Sequence, residues 1–166
     1  MQKLKTGFLV YMLFFLFSCV TFPWFPGGGY WTIIHIITIK DNLQIVFNPN
    51  DYLLYKNRGV LRREWGYLSG AKSDFTEAIE ILRKKQQFNN SLASAYDSRA
   101  SVLERLGDQQ VSLNNLDQAK KLYQLSINDS YQAVTIFRSV GNISASNSVQ
   151  FYVKYVEQKL SKISNE

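Results

Sequence analysis

The sequence predicts an all-α protein in which a helical body follows an apolar N-terminal segment. Residues 7–22 are large and apolar without a single charge, whereas residues 48–166 alternate apolar and polar side chains with the period of a helix. Within that body a pattern of aromatic and small residues occurs twice. With 46% hydrophobic and 19% charged residues, a chain of 166 residues can form one domain with a substantial core, which excludes a disordered chain.

The first element, residues 1–22, has the organisation of a signal peptide or a membrane anchor. Lys3 and Lys5 form a basic start ahead of the uncharged run. That run is slightly shorter than the roughly 20 residues that span a bilayer as a helix, so a cleaved signal and a retained anchor both stay open. By the positive-inside rule the two lysines stay in the cytoplasm, which predicts that the body lies on the non-cytoplasmic side of the membrane.

Cys19 is a candidate lipidation site. The segment Leu16-Phe17-Ser18-Cys19 resembles the signal-peptidase box of bacterial lipoproteins, in which the enzyme cuts before the cysteine that receives the lipid. The alternative is that Cys19 is an inert apolar residue of a membrane helix. Because the chain has one cysteine and one histidine, a disulfide framework and the usual Cys/His zinc cages are excluded. We predict neither a metal nor a cofactor.

Residues 23–47 are predicted to form a Pro/Gly joint followed by an apolar extended segment. Two prolines and three glycines between positions 23 and 29 break any helix and make a flexible joint. Residues 30–39 are rich in β-branched and aromatic side chains, which favours an extended strand. We therefore expect the helical domain to occupy residues 48–166.

The helical body contains an internal repeat. In the first unit Tyr55 is followed by Gly59, and Gly66 is placed to turn the chain. The same spacing returns 41 residues later at Tyr96, Ala100 and Gly107. Small and bulky residues then alternate at Ala71, Phe75 and Ala78, and this series returns at Ala119, Tyr123 and Ser126.

These residues resemble the motif of the tetratricopeptide repeat (TPR) family, whose helix-turn-helix units carry an aromatic residue, a small residue, a glycine and an alanine-aromatic-alanine series. The resemblance covers about residues 50–140 and implies a TPR-like antiparallel helix-hairpin solenoid. The 41-residue spacing exceeds the family's 34, which predicts lengthened helices or linkers. The tail is similar to the closing helices of cyanobacterial TPR proteins, and its apolar residues at 149, 152, 153, 156 and 160 predict a C-terminal capping helix.

The resemblance also implies a protein partner, an extended peptide or a helix, bound in the groove that the first helix of each unit lines. A helix stack has no built-in chemistry, so its function depends on its surfaces. Helical spacing places the following residues on the groove face: Leu53, Lys56, Asn57, Val60, Arg63 and Glu64 in the first unit, and Asp97, Ser98, Ser101, Glu104 and Arg105 in the second.

No motif indicates an enzyme. The glycines at 27–29 lack the spacing and the following Lys-Ser/Thr of a phosphate loop. The net charge of +6 permits binding to polyanions, but the basic residues are scattered among acids without a groove-reading motif, which argues against nucleic acid.

We therefore expect a membrane-tethered adaptor that holds a protein partner, for example during assembly of a membrane complex. If the source is bacterial or cyanobacterial, its body lies in the periplasm or thylakoid lumen. A structural subunit of such a complex is the first alternative, and a binder of anionic lipid or nucleic acid is the second.

Overall fold

All regular structure in the described part of the chain is helical. The computed structural model describes Ile39 and residues 41–164. A helical segment at 41–47 precedes five longer helices, and the described residues contain no strand. The longer helices are α1 (Tyr52–Glu64), α2 (Leu68–Lys84), α3 (Asn90–Ser112), α4 (Leu116–Ser139) and α5 (Ile143–Ser164). The all-α prediction is confirmed for these residues.

The helical body begins earlier than the sequence predicts. The chain divides into two compact units, and the second runs from Asp41 to Glu166. Residues 41–47 are helical, which corrects the extended conformation predicted for them. Arg58 of α1 donates a hydrogen bond to Asn42 Oδ1 at 2.6 Å, so this segment packs beside α1. A tertiary contact of this kind overrides a local strand preference.

The predicted N-terminal elements fall outside the described residues. These are the apolar helix at 1–22 with Cys19, the Pro/Gly joint, and the extended segment up to residue 38. Among the residues that are described, no helix combines the length and the apolar character needed to cross a bilayer.

Each helix packs chiefly against its neighbours in the chain, and these neighbours run antiparallel. Asp108, near the end of α3, accepts a hydrogen bond from the hydroxyl of Tyr123, near the start of α4. Arg99, nearer the start of α3, donates to Asp129, further along α4. The two contacts fix α3 and α4 as an antiparallel hairpin.

The first helices of the two hairpins lie side by side in the same direction. The hydroxyls of Tyr52, at the start of α1, and Ser91, at the start of α3, are 3.1 Å apart. Near the other end, the Arg105 guanidinium donates to the backbone carbonyl of Arg63 at 3.0 Å. The helices α1 and α3 therefore form two parallel walls of one surface.

The last helix packs along α4 as the sequence predicts. Val149, Val153 and Val156 are buried, and Tyr152 and Leu160 are half-buried. The apolar stripe that predicts a closing helix is thus the face that α5 buries.

Four helices end in the same left-handed turn. The residue after each C-cap has a positive φ: 77° at Gly66, 53° at Gln86, 56° at Asn114 and 76° at Gly141. Its N–H donates to the carbonyl three residues earlier, and the next N–H donates to the carbonyl five residues before it. This Schellman arrangement satisfies carbonyls that a helix end otherwise leaves unpaired. It also reverses the chain within a few residues, so successive helices lie against each other.

The two hairpins are related by 48 residues and not by the predicted 41. A Cβ at Gly59 would lie 3.0 Å from the ring of Phe75 in α2, and a Cβ at Gly107 would lie 2.5 Å from the ring of Tyr123 in α4. Each residue of the second pair follows its counterpart by 48 positions, as does Asn114 after Gly66. Gly107 therefore lies inside α3, where the absence of a side chain leaves room for the Tyr123 ring. It does not lie at a turn, although the 41-residue repeat aligns it with Gly66.

The longer second hairpin supplies most of the core. The helix α3 has 23 residues against 13 in α1. Its additional first turns carry Leu92 and Tyr96, which pack with Leu82 of α2 and Phe137 of α4 in the largest cluster of buried apolar residues. The lengthening predicted from the repeat spacing therefore extends the contact between the two hairpins.

Candidate partner-binding groove

The eleven residues predicted to line the groove differ in exposure. Leu53, Asn57 and Glu64 are exposed, all on α1. Glu104 is buried. The others are half-buried: Lys56, Val60, Arg63, Asp97, Ser98, Ser101 and Arg105. The open part of the predicted surface is thus the outer face of α1, and the α3 part is partly covered.

Charged side chains line the seam between α1 and α3. Arg63 binds the carboxylate of Glu64 at 2.9 Å, and Arg105 of α3 bonds the Arg63 carbonyl. Burial raises the pKa of Asp97 above its ordinary value of 3.8, and the guanidinium of Arg63 opposes that shift. The seam therefore brings together Arg63, Asp97 and Arg105.

Two of the predicted groove residues serve packing instead. Val60 is half-buried and packs against the cluster of Leu68, Ala71, Phe75 and Val102. Glu104 is only 7% exposed and is bound by Lys159 of α5. The structure thus corrects both predictions: neither side chain lies on an open surface.

A cluster of acids and one lysine around Glu104 joins α3, α4 and α5. The Lys159 ammonium binds the carboxylate of Glu104 and both carboxylate oxygens of Asp108, the latter at 2.7 Å. Tyr123 of α4 donates its hydroxyl hydrogen to Asp108 at 2.6 Å. The ammonium also lies 4.9 Å from the ring centroid of Tyr155, within the range of a cation–π contact.

The protonation equilibria of the cluster follow from this geometry. Burial raises the pKa of Glu104, the nearby Asp108 acts in the same direction, and Lys159 opposes both. Burial also acts to raise the pKa of Asp108, but hydrogen bonds from Lys159 and Tyr123 outweigh it and leave that pKa below its ordinary value. Burial acts to lower the pKa of Lys159, whereas the two carboxylates outweigh it and raise that pKa.

Two further buried carboxylates bind arginines within the hairpins. Asp74 of α2 is 1% exposed and accepts hydrogen bonds from Arg58 and Arg62 of α1. Asp129 of α4 forms a two-point ion pair with Arg99 of α3, at 2.7 and 2.8 Å. These arginines are held by structural contacts. The Arg99–Asp129 pair is neutral, whereas Arg58 and Arg62 share the single charge of Asp74.

Asp108 and Lys159 belong to this region but were not among the residues predicted for it. A repeat offset of 48 would indicate Asp108, since it then corresponds to Val60 of the first unit. No local signal indicates Lys159, which lies 55 positions from Glu104 in the sequence. Within the described residues no group of His, Cys, Asp or Glu could hold a metal ion.

No protein-family model matches the chain, and no curated protein is detectably similar to it.

Proposed function

We propose that this protein is a membrane-tethered adaptor with a TPR-like hairpin repeat, which binds a peptide or a helix of a partner protein along α1 and α3. The observation that carries the proposal is the equivalence of the two hairpins. The same glycine-to-ring contact recurs at Gly59 and Gly107, and the first helices run parallel. Such a stack presents the outer faces of its first helices side by side, which is how repeat proteins form extended binding surfaces.

The outer face of α1 has the composition of a recognition surface. Leu53 and Asn57 are exposed on successive turns, and Lys56 is half-buried beside them. An exposed leucine supplies apolar area, and the Asn57 amide can both donate to and accept from a peptide backbone.

Co-purification of the partner with the full-length protein tests whether this surface binds it. The tagged full-length protein is purified from solubilised membranes, and the proteins that accompany it are identified by mass spectrometry. We expect Asn57→Ala and Lys56→Ala each to weaken capture of the partner about tenfold, a loss of about 1.4 kcal/mol. The free energy of unfolding should change by less than about 0.5 kcal/mol, because Asn57 is exposed and Lys56 is only half-buried.

Asn128→Ala is the matched control, since Asn128 is an exposed asparagine on α4, away from α1. If both α1 variants bind as wild type while Asn128→Ala loses the partner, the groove proposal is wrong. A partner that co-purifies in fixed stoichiometry and is insensitive to all three variants would favour the structural-subunit alternative.

The tether is proposed from the sequence of residues 1–22, with the body on the non-cytoplasmic side. If Cys19 is lipidated, the wild-type protein should incorporate radiolabelled fatty acid in a bacterial host, and Cys19→Ser should not. Absence of label from both would leave an anchor without a lipid.

A further inference from the structure

Three connecting segments of the helical body meet at one end of the bundle. They are residues 48–51 before α1, residues 85–89 between α2 and α3, and residues 140–142 between α4 and α5. Because adjacent helices are antiparallel, every second connection returns to this end. We call it the three-turn end.

Hydrogen bonds join the three segments. Lys85 Nζ donates to the backbone carbonyl of Asn50 at 2.7 Å, which links the first segment to the second. Asn142 Nδ2 donates to Asn90 Oδ1 at 3.0 Å, which links the third segment to the start of α3. The side chains around these segments therefore form one continuous surface.

Large apolar side chains project from each part of this surface. Phe47 is 78% exposed, Phe88 is 60% exposed and Ile143 is 54% exposed. Val46, just before the first segment, and Val140, in the third segment, are exposed as well. Single exposed apolar residues are ordinary, but a set that shares one end of a domain marks an interaction site.

Positive charge surrounds the same apolar side chains. Arg83, Lys84 and Lys85 form the end of α2 and its first connecting residue, and residues 83–91 contain no acid. Residues 138–148 also lack acids. The first segment contains one acid, Asp51, whose carboxylate caps α1 by accepting the Leu53 N–H. Apolar side chains framed by cations match the chemistry of an anionic bilayer surface.

The opposite end of the bundle has apolar side chains with a smaller excess of positive charge. Trp65 and Leu113 are exposed there. The segments at that end, residues 64–69, 110–118 and 160–164, contain two acids and one lysine. Arg62 and Arg63, in the last turn of α1, are paired with Asp74 and Glu64. Electrostatics therefore distinguishes the two ends, since the three-turn end would be attracted more strongly to anionic headgroups.

The tether is long enough for either end of the helical body to reach the bilayer. Residues 23–40, between the uncharged run and the helical body, could span up to about 60 Å when extended, whereas α3 is only about 35 Å long. A body on such a tether can present either end to the bilayer. The face with apolar side chains and cations then has the lower free energy at the membrane.

We infer that the three-turn end docks on the surface of an anionic lipid bilayer, with Phe47, Phe88 and Ile143 at headgroup level and Arg83 and Lys84 against anionic headgroups. The inference rests on the membrane tether of the proposed function. It adds an orientation, in which α1 to α5 stand on the bilayer with the opposite end directed away from it.

The test compares two labelled positions in the full-length chain. With Cys19→Ser as background, Gln87→Cys places an environment-sensitive fluorophore at the three-turn end, and Gln118→Cys places it at the opposite end. Both glutamines are exposed. The proteins are reconstituted in vesicles of phosphatidylglycerol and phosphatidylcholine, or phosphatidylcholine alone, and brominated lipids report contact with the bilayer.

We expect the label at position 87 to shift to the blue and to be quenched by brominated lipid in anionic vesicles, while the label at 118 stays water-like. Arg83→Gln with Lys84→Gln should reduce the docked fraction, lowering the docked-to-undocked ratio about 30-fold, because each cation near an anionic surface contributes about 1 kcal/mol. Lys120→Gln with Lys121→Gln removes the same charge elsewhere and should leave the quenching unchanged.

The inference is overturned if the two labels respond alike, if only position 118 is quenched, or if quenching at 87 is equal in vesicles of phosphatidylcholine alone. Flotation with the vesicles separates this failure from that of the tether. A chain that floats with an aqueous label at 87 contradicts only the docking, whereas a chain that floats neither with Cys19 nor with Cys19→Ser contradicts both.

Discussion

Replacing Lys159 with methionine tests how the last helix is held on the bundle. Methionine keeps the length and the apolar stem of the side chain but removes the ammonium that binds Glu104 and Asp108. Breaking a buried ion pair on one side costs about 3–5 kcal/mol, because the remaining charge stays buried without a partner. Here the side chains of Lys159 and Asp108 are 23% and 45% exposed, so solvent screens part of the interaction. We expect a loss of about 2–3 kcal/mol at pH 7.

The pH dependence gives the sharper result. The pKa of Glu104 already lies above its ordinary value of 4.5, and removal of the ammonium raises it further. A carboxyl with a raised pKa in the folded state takes up a proton on folding, so its folded state becomes more stable as the pH falls toward the unfolded pKa. The deficit of Lys159→Met should therefore shrink by about 1 kcal/mol between pH 7 and pH 5. The lowered pKa of Asp108 changes little over this range, because the stability it gives wild type is lost only as the pH falls below the ordinary value of 3.8.

Urea unfolding of residues 41–166 at the two pH values measures both effects. Lys154→Met is the control, because Lys154 is an exposed lysine on the same helix and its replacement should change stability by less than about 0.5 kcal/mol. Adding Glu104→Gln to Lys159→Met should remove most of the pH dependence. A deficit that is equal at pH 5 and pH 7, or no larger than that of Lys154→Met, would refute the reasoning.

Three further predictions concern the fold. Gly107→Ala should lower stability by about 1 kcal/mol in urea unfolding, because the clash with the Tyr123 ring exceeds the gain in helix propensity; a stabilised variant would contradict the contact. Arg99→Met should cost about 3 kcal/mol by the same measurement, since it leaves the Asp129 carboxylate buried and unpaired, and a loss below 1 kcal/mol would show that the pair is solvated. A chain without residues 1–40 should keep helical circular dichroism and unfold cooperatively, because the second compact unit contains the described apolar clusters; aggregation with loss of helicity would show that this unit does not fold alone.

Much of the first hairpin could be predicted from the sequence because its signals are local. Gly66 lies at a helix end with positive φ, and Ala71, Phe75 and Ala78 recur at helical spacing and are all buried. The same holds for the closing helix, where the stripe with Val149, Val153 and Val156 is the buried face. Each of these features depends on the period of a helix or on the φ of one residue, both of which are encoded within a few positions.

The register of the second hairpin could not be predicted in this way. Seven residues make two helical turns to within about 20°, so a seven-residue error returns nearly the same helix face. Both offsets therefore align small residues with small residues: Gly59 corresponds to Ala100 with an offset of 41 and to Gly107 with an offset of 48. Only the contact of Gly107 with the Tyr123 ring distinguishes them. For the same reason, replacing the offset of 41 with 48 moves the predicted groove positions of α3 by two helical turns and changes their direction by only about 20°.

By itself, the sequence determined the helical class of the body, the first hairpin with its turn at Gly66, and the buried face of the last helix. Tertiary structure alone decided which charges remain free. Glu104 reads as an exposed groove residue from its helical position, but Lys159, which lies 55 positions away, buries and pairs it. The turn at Gln86 has no such local signal, since positive φ is uncommon for a residue other than glycine. Periodicity specifies which face of a helix is apolar, whereas the partner of a polar group depends on which distant segment folding brings beside it.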